Sequence, residues 1–443
     1  MANYRDIFGT SFDCSCGRRH QIEPREVVYG DDAIGRLSEV CRRAVAGRQG
    51  GDNRLAVLMD RRTRQAAGAT AAEALNRGGW HVREVLVPDT ADGGTPVCDD
   101  VTKDALSERL GEVDLVVPVG AGVVNDLGKW LAFERGVPFV PFATAASMTG
   151  YTSANVAPTL RGVKTLLLAA APPAVLSAPA ILRDAPYELT AAGLGDMLAR
   201  PVSSADWRLN SLLFGDYYCP RAVSLVAEVE PLYTHRPEDL KARKPQALEG
   251  LFAALLLTGV SMTMAGSSAP ASGGEHLVSH SLDMMSDLDG AAHDLHGRQV
   301  GVGSILCAEL YRRVLAVESP QWTEPPGETD SAFWGRLAGP VAKEYAQKVP
   351  RLRQAADALR QGGAWDRLRE QLSPMVPPPE SLRACLTAAG AACSAENLSC
   401  SKARLLETFV HAGQIRARFT ILDLAALLGL MPACAAGIVE EWA

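Results

Sequence analysis

Val117-Pro118-Val119-Gly120-Ala121-Gly122-Val123-Val124-Asn125-Asp126-Leu127-Gly128-Lys129 decides the reading of this chain. Leu115 to Val119 is an apolar run of the kind that forms a buried strand. The run breaks at small residues, then resumes with helical spacing at Val124, Leu127, Trp130 and Leu131. A strand that turns tightly over glycines into a helix N-terminus is a phosphate site, because backbone N–H groups point outward and the helix dipole favours an anion. The stretch is not the Gly-x-Gly-x-x-Gly fingerprint of the common dinucleotide fold. A plain glycine turn would look the same in isolation, so the rest of the chain must decide.

Around this turn the first 150 residues alternate strand and helix signals. The pattern predicts strands at 26–29, 55–59, 81–87, 114–119 and 137–141. It predicts helices at 33–46, 63–77, 98–110 and 123–135, with Gly78-Gly79 as a stop. Such alternation implies a mostly parallel sheet with helices on both faces. Ligands of such sheets bind beyond the C-terminal strand ends. Asp60, Gly122 and Thr144 each lie just past one and can share a crevice. After about residue 180 strand signals vanish, and helical segments follow at 188–198, 204–213, 221–230, 245–264, 275–285 and 297–314. The chain therefore divides into an α/β part, 1–180, and an all-α part, 181–443.

Composition narrows the function. A chain of 443 residues exceeds a single ordinary domain, and 47% apolar residues suffice for large cores. A net charge of −7 without a dense Lys/Arg cluster argues against nucleic-acid binding. The opening residues lack an apolar core, and the longest apolar runs, such as 251–260, read as too short for a bilayer. A soluble, cytoplasmic protein is expected, without membrane insertion. The ten cysteines are scattered apart from Cys14-x-Cys16, and read as reduced thiols. Cys14-Ser-Cys16-Gly-Arg-Arg-His20 resembles half of a zinc site, but no second Cys pair of matching spacing follows. Gly-x-Ser-x-Gly is absent, and Cys219 and Ser272 read as structural.

Half of the eight histidines lie within 276–296. His276 and His280 are one helical turn apart, so their rings share a face. His296 stands at the start of the next helix. Two imidazoles from neighbouring helices need a further ligand to make an open metal site, and a carboxylate is the natural third. The best candidate is Asp196 in Ala191-Ala-Gly-Leu-Gly-Asp196, an acid in an apolar, glycine-rich setting. Helix-terminal and surface histidines are the plain alternative. The metalloprotease His-Glu-x-x-His motif is absent.

Five motifs then occur in order: Gly120–Lys129, Thr144–Ser153, Ala192–Asp196, Ser268–His276 and His296-Gly-x-Gln-Val-Gly301. Together they resemble sn-glycerol-1-phosphate dehydrogenases, within the superfamily of iron-containing alcohol dehydrogenases and 3-dehydroquinate synthases. The opening Cys-x-Cys-Gly-x-x-His is similar to the bacterial branch. The resemblance covers roughly residues 10–305, and the remainder carries no usable motif. It implies a dehydroquinate synthase-like fold, with a dinucleotide-binding α/β domain, a helical metal- and substrate-binding domain, and the active site in the cleft between. It assigns NAD or NADP to Asp60, Gly122, Val123, Val124, Asn125, Asp126, Thr144, Ala145, Ala146, Ser147 and Ser153. It assigns one divalent ion (zinc, nickel or iron) to Asp196, His276 and His296, in agreement with the spacing argument. Thr149, Asp196 and His280 would face a polyol or polyol-phosphate substrate. Hydride transfer with Lewis-acid assistance is the implied chemistry, with His280 binding substrate or relaying a proton.

The chain departs from the family pattern where substrate is expected. Thr149 stands where Asp is usual, Ala269 where Arg is usual, and Arg200-Pro201 where Lys is common. Losing an arginine removes a bidentate phosphate donor. An altered substrate, a dehydroquinate-synthase-like cyclase and an inactive accessory protein of the same fold are therefore kept open. Asp60 favours a free ribose 2′-hydroxyl, whereas Arg61 and Arg62 suit a 2′-phosphate. The oligomeric state is open, with a homodimer the common default.

Overall fold

The computed structural model describes residues 4–48, 51–91, 93–324, 326–398 and 400–443. Six strands form the sheet: β1 Glu26–Tyr29, β2 Arg54–Met59, β3 His81–Leu86, β4 Leu115–Gly120, β5 Phe142–Ala143 and β6 Ala174–Ser177. Their order is β1-β6-β5-β4-β2-β3 and every pairing is parallel. The helices α1 Ala33–Val45, α2 Ala69–Arg77, α3 Asp100–Leu110 and α4 Gly122–Glu134 connect them.

The alternation along β2 and β4 explains the layering. Leu55, Val57, Met59, Leu115, Val117 and Val119 face a core with Leu37, Val40, Ala72 and Leu75. Ala56, Leu58 and Val116 face a second core with Leu106, Leu110, Leu127 and Leu131. Both sheet faces are covered, so the strands read as continuous apolar runs rather than as alternating ones.

Three expectations need correction. The strand expected at 137–141 is not one. Phe139 makes a single bridge to Val116, and the ladder forms one step later, at Phe142–Ala143. Pro138 and Pro141 have no N–H to give to a neighbouring strand, which limits pairing between them. The helix expected at 221–230 breaks into Pro220–Ser224 and Pro231–Thr234, with turns between. The third concerns length: Pro245–Ala265 is one 21-residue helix, long and apolar enough by composition to cross a bilayer. Yet 89% of its apolar window is buried inside the protein, as in a core helix.

Five helices of the rest bear on the site, α5 Tyr187–Leu198, α6 Arg200–Phe214, α7 Pro245–Ala265, α8 Gly274–Asp289 and α9 His296–Leu315, and a longer one, Ala338–Leu359, follows them. The compact units interleave along the chain instead of dividing at 180/181. One comprises 1–193 and 224–267, the other 194–223 and 268–443. The physical reason is α7, which packs with the α/β unit. Thr152 Oγ1 donates to Leu256 O over 2.6 Å, and a Cβ on Gly259 would stand 2.1 Å from Thr152 Oγ1. Phe252 lies against Tyr29 and Tyr151, with ring centroids 5.6 and 6.1 Å apart.

Candidate active site

In the α/β unit, β5, β4 and β2 are adjacent and parallel, so Thr144, Ala121-Gly122 and Asp60 follow neighbouring strand ends on one sheet edge. Gly122 adopts φ +29°, a region that L side chains rarely enter, and a Cβ there would meet nothing within 4 Å. This bare first turn of α4 fits a pyrophosphate by backbone and dipole alone. Gly128 serves the packing behind it, since a Cβ would lie 2.7 Å from Pro118.

The side chains of this motif mostly serve the scaffold. Asp126 Oδ2 accepts the Ala157 N–H over 3.3 Å, and its Oδ1 accepts Asn125 Nδ2 over 3.1 Å. Ser153 Oγ accepts from Lys129 Nζ over 3.2 Å and donates to Gly150 O. Tyr151 OH donates to Ala145 O over 2.8 Å. Ala145 and Ala146 are fully buried, Thr144 and Thr149 nearly so. Asp60 acts as an N-cap: its Oδ1 accepts from Arg62 N and Thr63 N over 2.8 and 2.7 Å. Asp89 binds both neighbouring arginines, at 2.9 Å from Arg61 and 2.7 Å from Arg62.

Lys129 closes the motif and has a structural task. Its ammonium is fully buried and donates to Gly150 O and Asn155 O over 2.6 and 2.9 Å, pinning the 150–155 loop to α4. Burial lowers its pKa to about 8, against the pull of Asp126. A lysine one helical turn beyond Asn125-Asp126, in an otherwise apolar helix, is the signal that could have marked it.

The helical unit assembles a group of its own. Asp196, on α5, is buried, as is His276 on α8; His296, partly exposed, opens α9. Asp196 Oδ1 is 3.3 Å from His276 Nε2 and 4.0 Å from His296 Nε2, and ligand atoms of all three lie within 4.8 Å of one another. α5 can bring the carboxylate this close because Gly195 touches Gly297: a Cβ at 195 would be 2.0 Å from Gly297 O. His280 completes the group. It is buried, stacks on His296 with centroids 5.4 Å apart, and stands edge-on to His276.

The far nitrogen of each imidazole decides what the near one offers. His276 Nδ1–H donates to Glu275 Oε1 over 2.9 Å, and that oxygen also accepts the Gly273 N–H. Ser279 Oγ donates to Gln299 Oε1 over 2.8 Å, so it accepts from His296 Nδ1–H, 2.9 Å away. In the neutral rings both Nε2 atoms therefore turn lone pairs to the Asp196 side, and a metal ion would take the place of any proton held there. One carboxylate and two such imidazoles are the donor set of an open divalent-metal site, and the residues fit one. Burial works to lower the His276 pKa, but hydrogen bonds with Asp196 and Glu275 outweigh it and raise the value to about 9.

Further residues, not foreseen, hold the start of α8. Asp206 Oδ2 accepts the Gly274 N–H and its Oδ1 accepts from Tyr311 OH, over 2.8 and 2.6 Å. Burial, then the charge of Glu275, pushes the Asp206 pKa up to about 7. Arg418 donates to Ser268 Oγ over 3.0 Å and also to Ser272 O. It thus brings a guanidinium from the C-terminal segment to the loop whose position 269 is alanine. Ser279 and Gln299 carried a faint signal: each follows a metal-type histidine at i+3, on the same helix face.

The chain is similar to known dehydrogenases. The family described as iron-containing alcohol dehydrogenase matches residues 28–186. The chain is 31% identical over 358 residues to the NAD(P)+-linked glycerol-1-phosphate dehydrogenase of Bacillus licheniformis, covering 77% of this chain and 87% of that one. It is 33% identical over 293 residues to the corresponding enzyme of Thermococcus sibiricus, covering 66% and 79%. The solved glycerol dehydrogenase of Schizosaccharomyces pombe shares the fold, with TM-score 0.59 at 14% identity over 99% and 93% of the two chains. Fold and relatives define the class as the NAD(P)-dependent, metal-containing alcohol dehydrogenases. Within that class the chain belongs to the glycerol-1-phosphate dehydrogenase family, as a divergent member.

Proposed function

We propose that the chain is a soluble, cytoplasmic enzyme that interconverts glycerol 1-phosphate, or a closely related polyol phosphate, with its ketone. The carrying observation is the convergence of Asp196, His276 and His296 with both Nδ1 atoms already committed. A divalent ion (zinc, nickel or iron) held there supplies Lewis acidity to the substrate oxygen, and the nicotinamide supplies the hydride acceptor. Glu275 and Ser279 orient the two ligating imidazoles. His280 binds the substrate and holds or passes on the hydroxyl proton. Gly122 and the first turn of α4 carry the pyrophosphate, and Asp60, whose Oδ1 caps its helix and whose Oδ2 lies 3.9 Å from Arg62, accepts from the ribose. Arg61 and Arg62 share Asp89, which cancels part of their charge and favours NAD over NADP.

The substitutions at 149 and 269 bear on the substrate, not on this machinery. The test is a steady-state comparison of glycerol 1-phosphate with unphosphorylated polyols, using protein loaded in turn with each metal and each nucleotide. Net NADH formation, fastest with the phosphorylated alcohol, is expected. Comparable turnover of a neutral polyol would overturn the assigned substrate. Turnover without net NADH would favour a cyclase.

A further inference from the structure

A second group of ligand-type side chains lies at the N-terminal hairpin, where no dehydrogenase role has been assigned. Ser11–Asp13 pairs antiparallel with Arg19–Gln21, with Phe12 opposite His20 and Asp13 opposite Arg19. The Cys14 N–H donates to Arg18 O over 2.9 Å, and the Gly17 N–H to Cys14 O over 3.0 Å. Gly17 adopts φ +84°, which lets the chain double back with one residue between the two thiols. Cross-strand partners share a face and strand side chains alternate, so Phe12, Cys14 and His20 stand on one side. The Phe12 and His20 rings are 5.6 Å apart. Cys16 Sγ is 3.3 Å from His20 Nε2. Ligand atoms of Cys14, Cys16 and His20 all lie within 4.8 Å of one another.

We infer that this hairpin is a zinc site, with Cys14, Cys16 and His20 as protein ligands. With Zn–S of about 2.3 Å and Zn–N of about 2.0 Å, neighbouring ligand atoms of a tetrahedral ion are about 3.5–3.8 Å apart. The Cys16–His20 pair, at 3.3 Å, is a few tenths of an ångström short of that spacing, and the remaining ligand atoms lie within 4.8 Å of one another. Cysteines separated by one residue fall below the usual zinc spacing of two to four. Spacing alone therefore undervalues the motif, and the Gly17 turn is what restores it. Strands of three residues bury little apolar surface, so a hairpin this short is marginal by itself. Metal binding supplies the missing folding free energy, with release of the thiol protons. The role is structural, and the fourth position goes to water or to a donor outside the hairpin.

This inference does not rest on the dehydrogenase reading, because Asp196, His276 and His296 contain no sulfur. The full-length protein is purified with zinc and its metal content measured. About two zinc ions per chain are expected, falling to about one in Cys14→Ser/Cys16→Ser and to about one in Asp196→Ala/His276→Ala. Cobalt exchanged into Asp196→Ala/His276→Ala should show thiolate-to-metal charge-transfer absorption. Should the cysteine variant fail to fold, X-ray absorption at the zinc edge of Asp196→Ala/His276→Ala decides alone, with at least two sulfur neighbours expected. Absence of thiolate absorption, or a zinc shell without sulfur, would overturn the site. So would an unchanged zinc count in a folded cysteine variant. Serine replacement of each remaining cysteine then shows whether the fourth donor is sulfur.

Discussion

The proposed nucleotide cradle and the proposed metal triad would achieve recognition by opposite means. The cradle is a contiguous run in which Gly122 exposes backbone, while nearby polar side chains, Lys129, Asp126 and Ser153, brace the loop behind it. The triad is made wholly of side chains drawn from positions 196, 276 and 296, and its orientation rests on Glu275, Ser279 and Gln299. A backbone site tolerates changes of side chain everywhere except at its glycine. A side-chain site fails when any contributor, or the group steering it, is changed.

The largest expected effect is on the triad. Asp196→Ala should abolish metal retention and lower kcat/KM by about 10³-fold or more, the equivalent of several kcal/mol of lost electrostatic stabilisation. NADH affinity, measured by fluorescence titration, should change little. A metal content equal to wild type would break the comparison. Next come the steering groups: Ser279→Ala or Gln299→Leu should weaken metal affinity by about 10–100-fold in chelator competition. Wild-type affinity in both would show that the ring orientations are fixed by packing alone.

In the cradle, Gly122→Ala forces a strained backbone costing about 1–2 kcal/mol, so NADH should bind about tenfold more weakly while metal stays bound. Unchanged NADH affinity would show that the φ of +29° is not needed for the nucleotide.

The smallest effect probes the end of α8 outside the triad. Hydrogen bonds with Asp283 and then Asp287 raise the His293 pKa to about 10. A raised histidine stabilises the fold in full below its unfolded value of about 6.5, and that contribution fades as pH climbs towards 10. Denaturant titrations of wild type and His293→Gln should therefore differ most near pH 6 and converge near pH 10. The ring is over a third exposed, so the difference should stay within about 1 kcal/mol. A gap that widens with pH would refute the assignment.

What could be read from sequence followed this same division. The glycine turn and its strand were legible because all their determinants are local. His276 and His280 were legible as a helical pair, and Asp196 as an acid too costly to bury without a task. Ser279, Gln299 and Asp206 were not, since serine, glutamine and aspartate are common on helices and only tertiary packing gives these their work. Val137–Pro141 misled because apolar content suggests a strand while its prolines withhold the hydrogen bonds. The grouping of α7 with the α/β unit was hidden because a wholly apolar helix carries no record of which side it faces.

The contact between Gly195 and Gly297 has a consequence for how this protein can change over generations. A glycine hydrogen faces the Gly297 carbonyl oxygen there, where any other residue would bring carbon, and the carboxylate of Asp196 is carried by the next residue. A single added methyl would wedge the helices apart and widen the gap that a small cation must fill. The mutational path from glycine to alanine, ordinarily among the gentlest, is closed at 195. The ions this protein can hold are thus governed partly by an atom that is missing from a residue that never touches them.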